Sequence, residues 1–343
     1  MPERLIAALL LALTLLLAGC VRPQLQQQEA YIFGTRVEVL VADRDETKAR
    51  HAIATVLREF DRLHRGYHAW QPSELFSLNA ALARGEKRGV SPEMADFIRE
   101  AQALSERGDH LFDPGIGRLI ALWGFQAEEF KAVLPDRAEL AALIAAKPSI
   151  ADIRIDGNEV SSRNKADALD FGGYLKGVAL DRAAEILKRE GIHNALINIG
   201  GNVLALGDKH GRKWKVGIQH PRQPGPLAAL ELGDGEAIGT SGDYQRFFEL
   251  DGKRFPHLLD PRTGWPANHT RALTIVIPKG DKSGTLSDAL SKPIFIAGPD
   301  AWQAMARKLN VGMVLRVDAD GRTQVTRALR QRLEMREELE IVD

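Results

Sequence analysis

The sequence predicts an α+β fold, a two-lobed mixed α/β domain with antiparallel sheets and flanking helices. Three observations predict it. Helix-periodic stretches, such as Thr47–Leu63 and Asp136–Lys147, are interleaved with short alternating or β-branched apolar runs, such as Tyr31–Ala42 and Arg271–Ile277. Hairpin turns at Asp156-Gly157-Asn158 and Asp251-Gly252 join neighbouring strands antiparallel. No repeat of roughly 20–50 residues is visible, and no linker interrupts the chain after its first thirty residues or so. The boundaries read from these signals are a leader (1–19), a polar tether (20–29), one domain (30–326) and a charged, helix-prone tail (327–343).

The amino terminus stands apart. Arg4 precedes the apolar run Leu5–Ala18, too short to span a bilayer and typical of an export signal. Ala18 and Gly19 before Cys20, the single cysteine, resemble a bacterial lipoprotein signal with Cys20 lipidated. Acyl chains contribute ~0.8 kcal/mol per buried CH₂, and two or more anchor stably. The expectation is an exported, periplasm-facing protein held to a membrane. Lys+Arg and Asp+Glu both number 46 in 343 residues, so there is no basic excess and no nucleic-acid footprint.

In chain order, the strand Tyr31–Ala42 contains Phe33-Gly34-Thr35 and is followed by the helix Thr47–Leu63. His68–Leu75 reads as a loop leading to Leu78-Asn79. Ser91 and Pro92 open a helix as N-cap and first residue. Gly108–Phe125 is a Gly-Pro loop feeding an apolar segment, and Asp136–Lys147 is a capped helix stopped by Pro148. Ala168–Phe171 leads into Gly172-Gly173 and a helix with Lys176-Gly177 near its start. Ala195–Ile199 is a strand ending in Gly200-Gly201-Asn202; strands follow at Trp214–Ile218 and Ala228–Leu232. Lys253–Leu259 is the return strand of the Asp251-Gly252 hairpin. Pro299-Asp300 caps a helix through Leu309, and Met313–Val317 is a late strand.

Several residues invite chemistry. Glycines let a backbone approach a ligand, and a helix start offers N–H groups to an anion, so Gly172, Gly173 and Lys176 suit a pyrophosphate or form a packing turn. Trp70 and Phe112 lie in polar, Pro-containing loops, where a ring stacks on a planar cofactor or enters the core. Asp113 binds hydroxyls or starts a turn. His257 suits proton transfer. Asp288 is either a Mg²⁺ ligand or a carboxylate at a helix start.

Taken together and in order, these stretches resemble the ApbE family of FAD:protein FMN transferases. The resemblance rests on Phe33-Gly34-Thr35; Ser73-Glu74-Leu75 with Asn79; Phe112-Asp113-Pro114; Leu169–Gly173 with Lys176-Gly177 and Asp181; Asn198–Gly201; Thr240–Tyr244; and His257–Gly264. It implies a T-fold-like domain that uses FAD and Mg²⁺, attaches FMN through its phosphate to a Thr or Ser of an exported or membrane redox protein, and releases AMP. It implies a flavin site at Phe33, Trp70, Leu111, Phe112, Asp113, Gly172, Gly173, Lys176, Val178, Thr240 and Leu259. His257 is then the candidate proton acceptor. The family's metal site takes a carbonyl at Leu175, the carboxylate at Asp288 and a Thr four residues later. Here that residue is Lys292, which either bonds to Asp288 one helical turn away or acts in catalysis as a substitute cation; Pro293 disfavours helical geometry at Lys292. The alternatives to transfer are a non-catalytic, lipid-anchored FAD-binding protein and an enzyme that hydrolyses FAD.

Overall fold

The structure is a computed structural model describing residues 25–127, 129–335 and 339–343. The leader and Cys20 lie outside the described residues.

A nine-stranded sheet has a spatial order that follows the chain. Its strands are β1 (Leu25–Ile32), β2 (Thr35–Ala42), β3 (Ala195–Ile199), β4 (Asn202–Leu206), β5 (Ala237–Gly242), β6 (Thr270–Ile277), β7 (Val314–Asp318), β8 (Thr323–Thr326) and β9 (Glu340–Val342). Neighbours run antiparallel except β8 and β9, which are parallel. Between β2 and β3 the chain forms α1 (Glu46–Gly66), α2 (Glu74–Arg84), α3 (Pro92–Arg107), α4 (Gly117–Leu122), α5 (Arg137–Ala146) and α6 (Leu175–Arg189). Between β6 and β7 it forms α7 (Ser283–Ile296) and α8 (Trp302–Lys308).

Period-two alternation decides what each sheet face buries. Val37, Val39, Ile197, Leu204 and Ile275 face the helices and pack with Ile53 and Phe60 of α1 and Leu180 and Leu187 of α6. Val203, Ala205, Ile238 and Val276 face the other way, onto a three-stranded sheet that contributes Trp214, Leu230 and Leu333. A third cluster joins Trp123, Phe125 and Leu140 to the hairpin Phe247–Leu250/Lys253–Pro256. Asp251 (φ 50°) and Gly252 (φ 70°) make its turn, and Phe248 stacks on its register partner Phe255 at 5.1 Å. Each fully buried side chain of this size is worth ~1.5–3 kcal/mol.

Helix α7 is the innermost element: thirteen of its fourteen residues are buried. It lies close against β5 because Gly239 has no side chain; a Cβ there would sit 1.8 Å from the Ser287 carbonyl oxygen. The helix continues through Pro293. Proline costs about 3 kcal/mol in a helix interior, and the burial of α7 on several sides offsets that cost.

Three expectations are corrected. Leu25–Glu29 are not tether but the first part of β1, paired residue for residue with β2. Glutamines at 26–28 fit there because β1 is an edge strand, half exposed. The described residues of 327–343 do not form a helical tail. After one turn of helix at Arg327–Arg330, Leu333–Met335 joins the small sheet and β9 joins β8. Leu329 and Leu333 are buried while Arg332 pairs with Glu236 at 2.7 Å, so the charge lies outside and the apolar residues inside. The stretch read as a loop over His68–Leu75 already contains the start of α2, capped by the Ser73 hydroxyl, which accepts from Phe76 N. Among the described residues no helix is long and apolar enough to cross a membrane.

Candidate functional site

The first turn of α6 rests on α7, and glycine makes this possible. A Cβ on Gly177 would lie 2.6 Å from the Gly284 carbonyl oxygen and 2.8 Å from Asp288 Cβ. Contact this close brings Gly177 N to Asp288 Oδ2 at 2.9 Å. Asp181, one turn along α6, accepts from Gly284 N and Thr285 N, both at 2.8 Å, and so caps the start of α7. Asp288 itself is fully buried, well inside α7 rather than at its start.

Lys292 follows one turn later. Its Nζ donates to the Asp288 carbonyl at 2.6 Å and forms an ion pair with Asp288 Oδ1. Lys176 Nζ lies 3.9 Å from the same oxygen and donates to Gly172 O at 2.9 Å. Gly173 closes the other side: a Cβ there would stand 3.3 Å from Lys292 Cε and 3.5 Å from Phe112 Cε2. Phe112, Gly172, Gly173, Lys176, Asp288 and Lys292 therefore form one cluster. Burial alone pushes the Asp288 carboxyl up, but Lys176, Lys292 and the Gly177 amide outweigh it and hold the group below its usual range. Burial pushes the Lys292 ammonium down, and Asp288 opposes that shift.

These residues do not fit Mg²⁺. The carboxylate faces an ammonium on one oxygen and an amide N–H on the other. An ammonium has no lone pair to offer a cation. Leu175 opens α6; the carbonyl expected as a ligand there does not depend on its side chain, which is buried in the core. Among the described residues no group of three or more His, Cys, Asp or Glu is placed to hold a metal ion.

His257 follows the second strand of the aromatic hairpin, which ends at Pro256 rather than at Leu259. Its backbone N and Nδ1 approach the Arg246 carbonyl at 3.0 and 3.1 Å. A carbonyl only accepts, so Nδ1 carries the hydrogen and Nε2 keeps its lone pair. Burial pushes the imidazole down to about 3, with the charges of Arg246, Lys176 and Lys292 adding to it. The histidine is thus a neutral acceptor beside a cationic cluster.

Other expected residues are scattered. Phe33 (φ 57°) and Trp70 lie partly buried at the rim of the main core, linked through rings: Phe33 to His64 at 5.6 Å, His64 to His68 at 5.0 Å, His68 to Trp70 at 4.3 Å. Leu111 and Val178 are buried in that core, and Leu259 is buried in the aromatic cluster. The Asp113 carboxylate accepts from Gly115 N, Ile150 N and the Ser149 hydroxyl, which is the turn reading of that residue. Gly115 is fixed there, since a Cβ would meet Ile150 N at 2.1 Å. Thr240 points away from α7; it bonds to Thr274 at 3.0 Å and lines a cavity of about 290 Å³ with Asn198 and Tyr244. By strand alternation Ser241 is the side chain that reaches α7, at 2.8 Å from Ser291 Oγ. Gly200 (φ 58°) and Gly201 (φ 92°) make the β3–β4 turn.

Sequence reasoning passed over Arg246, whose half-buried guanidinium donates to Phe125 O at 2.7 Å. No spacing pattern marks it, because its link to His257 passes through its own carbonyl. Asn202, named in the sequence only as the end of the Gly200-Gly201 turn, has a more specific place. That residue is buried, its Oδ1 accepts from Thr240 N, and its Nδ2 has no hydrogen-bond partner.

Comparison with known proteins places this geometry. The family model described as the ApbE family matches residues 33–315. An FAD:protein FMN transferase of Rhodobacter capsulatus is 40% identical over 331 residues, which cover 95% of this chain and 62% of that protein. This chain thus spans under two thirds of that relative's length. An FAD:protein FMN transferase of Vibrio cholerae is 30% identical over 318 residues, covering 90% of this chain and 93% of that one. The crystal structure of an ApbE protein from Thermotoga maritima superposes with a TM-score of 0.82 at 30% identity, covering 92% and 100% of the two chains. With the match running through the Gly-Gly loop, the α6–α7 contact and the His257 turn, the chain belongs to the ApbE family.

Proposed function

We propose that this protein is an FAD:protein FMN transferase: it binds FAD, moves FMN through its phosphate to a Thr or Ser hydroxyl of an acceptor protein, and releases AMP. The observation that carries the reading is the neutral His257, with Nε2 unprotonated, beside Lys176 and Lys292. In the transfer, the acceptor oxygen forms a bond to the FMN phosphorus as the bond from that phosphorus to the AMP oxygen breaks. His257 takes the hydroxyl proton, and AMP carries away the electron pair of the broken bond. The ammonium groups stabilise charge developing on the phosphate oxygens. Depression of His257 by nearby cations is relieved when pyrophosphate charge enters, which raises its basicity where a base is needed. Trp70 and Phe33 supply ring faces for the flavin, and Leu111, Phe112, Gly172 and Val178 supply walls. Mg²⁺, which the family resemblance implies, is not assigned a role because the residues at Asp288 do not fit it.

We further propose export and membrane anchoring through a lipidated Cys20, on the strength of the Leu5–Ala18 run and the Ala18-Gly19-Cys20 junction. The test of function is AMP release from FAD with and without an acceptor domain. Release that depends on the acceptor supports transfer. Equal release in both supports hydrolysis, and tight FAD binding with none supports a carrier.

A further inference from the structure

We propose that the Lys292 ammonium is a built-in cation standing where a divalent metal would otherwise be held, so that this protein handles its pyrophosphate substrate without a resident metal ion. The inference rests on the transferase reading above and specifies what charge that site supplies.

Four observations carry it. Lys292 and Asp288 sit one turn apart on α7, the most enclosed helix of the fold, so the pair is held by the helix itself. Gly173 lies close against the lysine stem, where a Cβ would stand 3.3 Å from Lys292 Cε, which limits where the ammonium can swing. An ammonium has three N–H donors. Two are engaged by the Asp288 carbonyl and carboxylate, leaving one for a phosphate oxygen. Finally, the second carboxylate oxygen accepts from Gly177 N, so each oxygen of Asp288 already meets a donor of this chain. Lys176 and Lys292 against Asp288 leave the cluster with one net positive charge. Asp288 thus positions Lys292, and Lys292 is the group that meets the substrate.

The test uses Mn²⁺ as a spectroscopic probe on the FAD-loaded full domain, alongside AMP release with an acceptor in the presence or absence of chelator. The wild-type protein is expected to show no bound Mn²⁺ by EPR titration and a rate that chelator leaves unchanged. Lys292→Thr is expected to gain one Mn²⁺ site, with turnover that falls about tenfold or more when metal is removed. Lys292→Met, which keeps the stem and loses the charge, is expected to lose turnover whether or not metal is added. Stoichiometric Mn²⁺ binding by the wild type, with activity abolished by chelator, overturns the proposal. So does a Lys292→Met variant as active as the wild type. If Lys292→Thr does not fold, the wild-type titration decides alone. If no arm turns over, the transferase reading fails, and Mn²⁺ binding still decides the proposal about Lys292.

Discussion

Replacing Gly177 by alanine tests the contact on which the site is built. The added Cβ would lie 2.6 Å from the Gly284 carbonyl oxygen, 2.7 Å from Thr285 Cα and 2.8 Å from Asp288 Cβ. Ordinary contact begins near 3.4 Å, so α6 and α7 must part by 3.4 − 2.6, or 0.8 Å, against backbone that cannot rotate away. Overpacking of this kind costs about 1–3 kcal/mol. Alanine returns up to about 1 kcal/mol through its better helix propensity. The net expectation is a loss of about 1–2 kcal/mol in urea unfolding, with the slope unchanged. The separation also lengthens the 2.9 Å bond from residue 177 N to Asp288, so FAD-dependent AMP release falls more than stability alone would explain. A variant as stable as the wild type, or more stable, with normal turnover would refute the argument that glycine is there for close approach.

Further expectations concern charge. The imidazole of His257 is pushed down to about 3, so its NMR signals are expected to stay flat from pH 8 to 5 in the FAD-free protein; a titration centred near 6.5 would contradict its placement beside the cations. His257→Asn is expected to leave FAD binding intact and lower transfer by about 10²–10⁴, measured as single-turnover AMP release. Burial pushes the Asp167 carboxyl up to about 6 from 3.8. Between those values the folded state holds a proton the unfolded chain has lost, so stability falls as pH rises through that window, by an amount on the order of 3 kcal/mol. Asp167→Asn is expected to flatten that dependence in urea titrations at pH 4 and 7; an unchanged slope would contradict it.

Much of the fold was legible because local rules and tertiary packing agree. The Asp251-Gly252 turn, the Ser91-Pro92 cap and the Ala195–Ile199 strand all follow from residue conformational preferences. The ends of the chain were not legible, since a strand of glutamines at a sheet edge is held by backbone pairing that side-chain pattern does not announce. Short strands around Leu333 and Ile341 carry too few apolar residues to outweigh the charge beside them. At the site, the spacing of Asp288 and Lys292 was enough to name their pairing, whereas Pro293 suggested a helix break that the surrounding core overrides. Thr240 and Ser241 show the limit from the other side. Both are hydroxyls on one strand, and which of them meets α7 depends on a register that only the assembled sheet fixes.

The most direct test of the account is intact-protein mass spectrometry of an acceptor domain bearing a flavinylation-type Thr, incubated with this protein and FAD. A working transferase gives an FMN-sized gain on the acceptor, AMP in equal amount, and loss of both with His257→Asn. An unmodified acceptor, with FAD either untouched or split to free FMN and AMP, would contradict it.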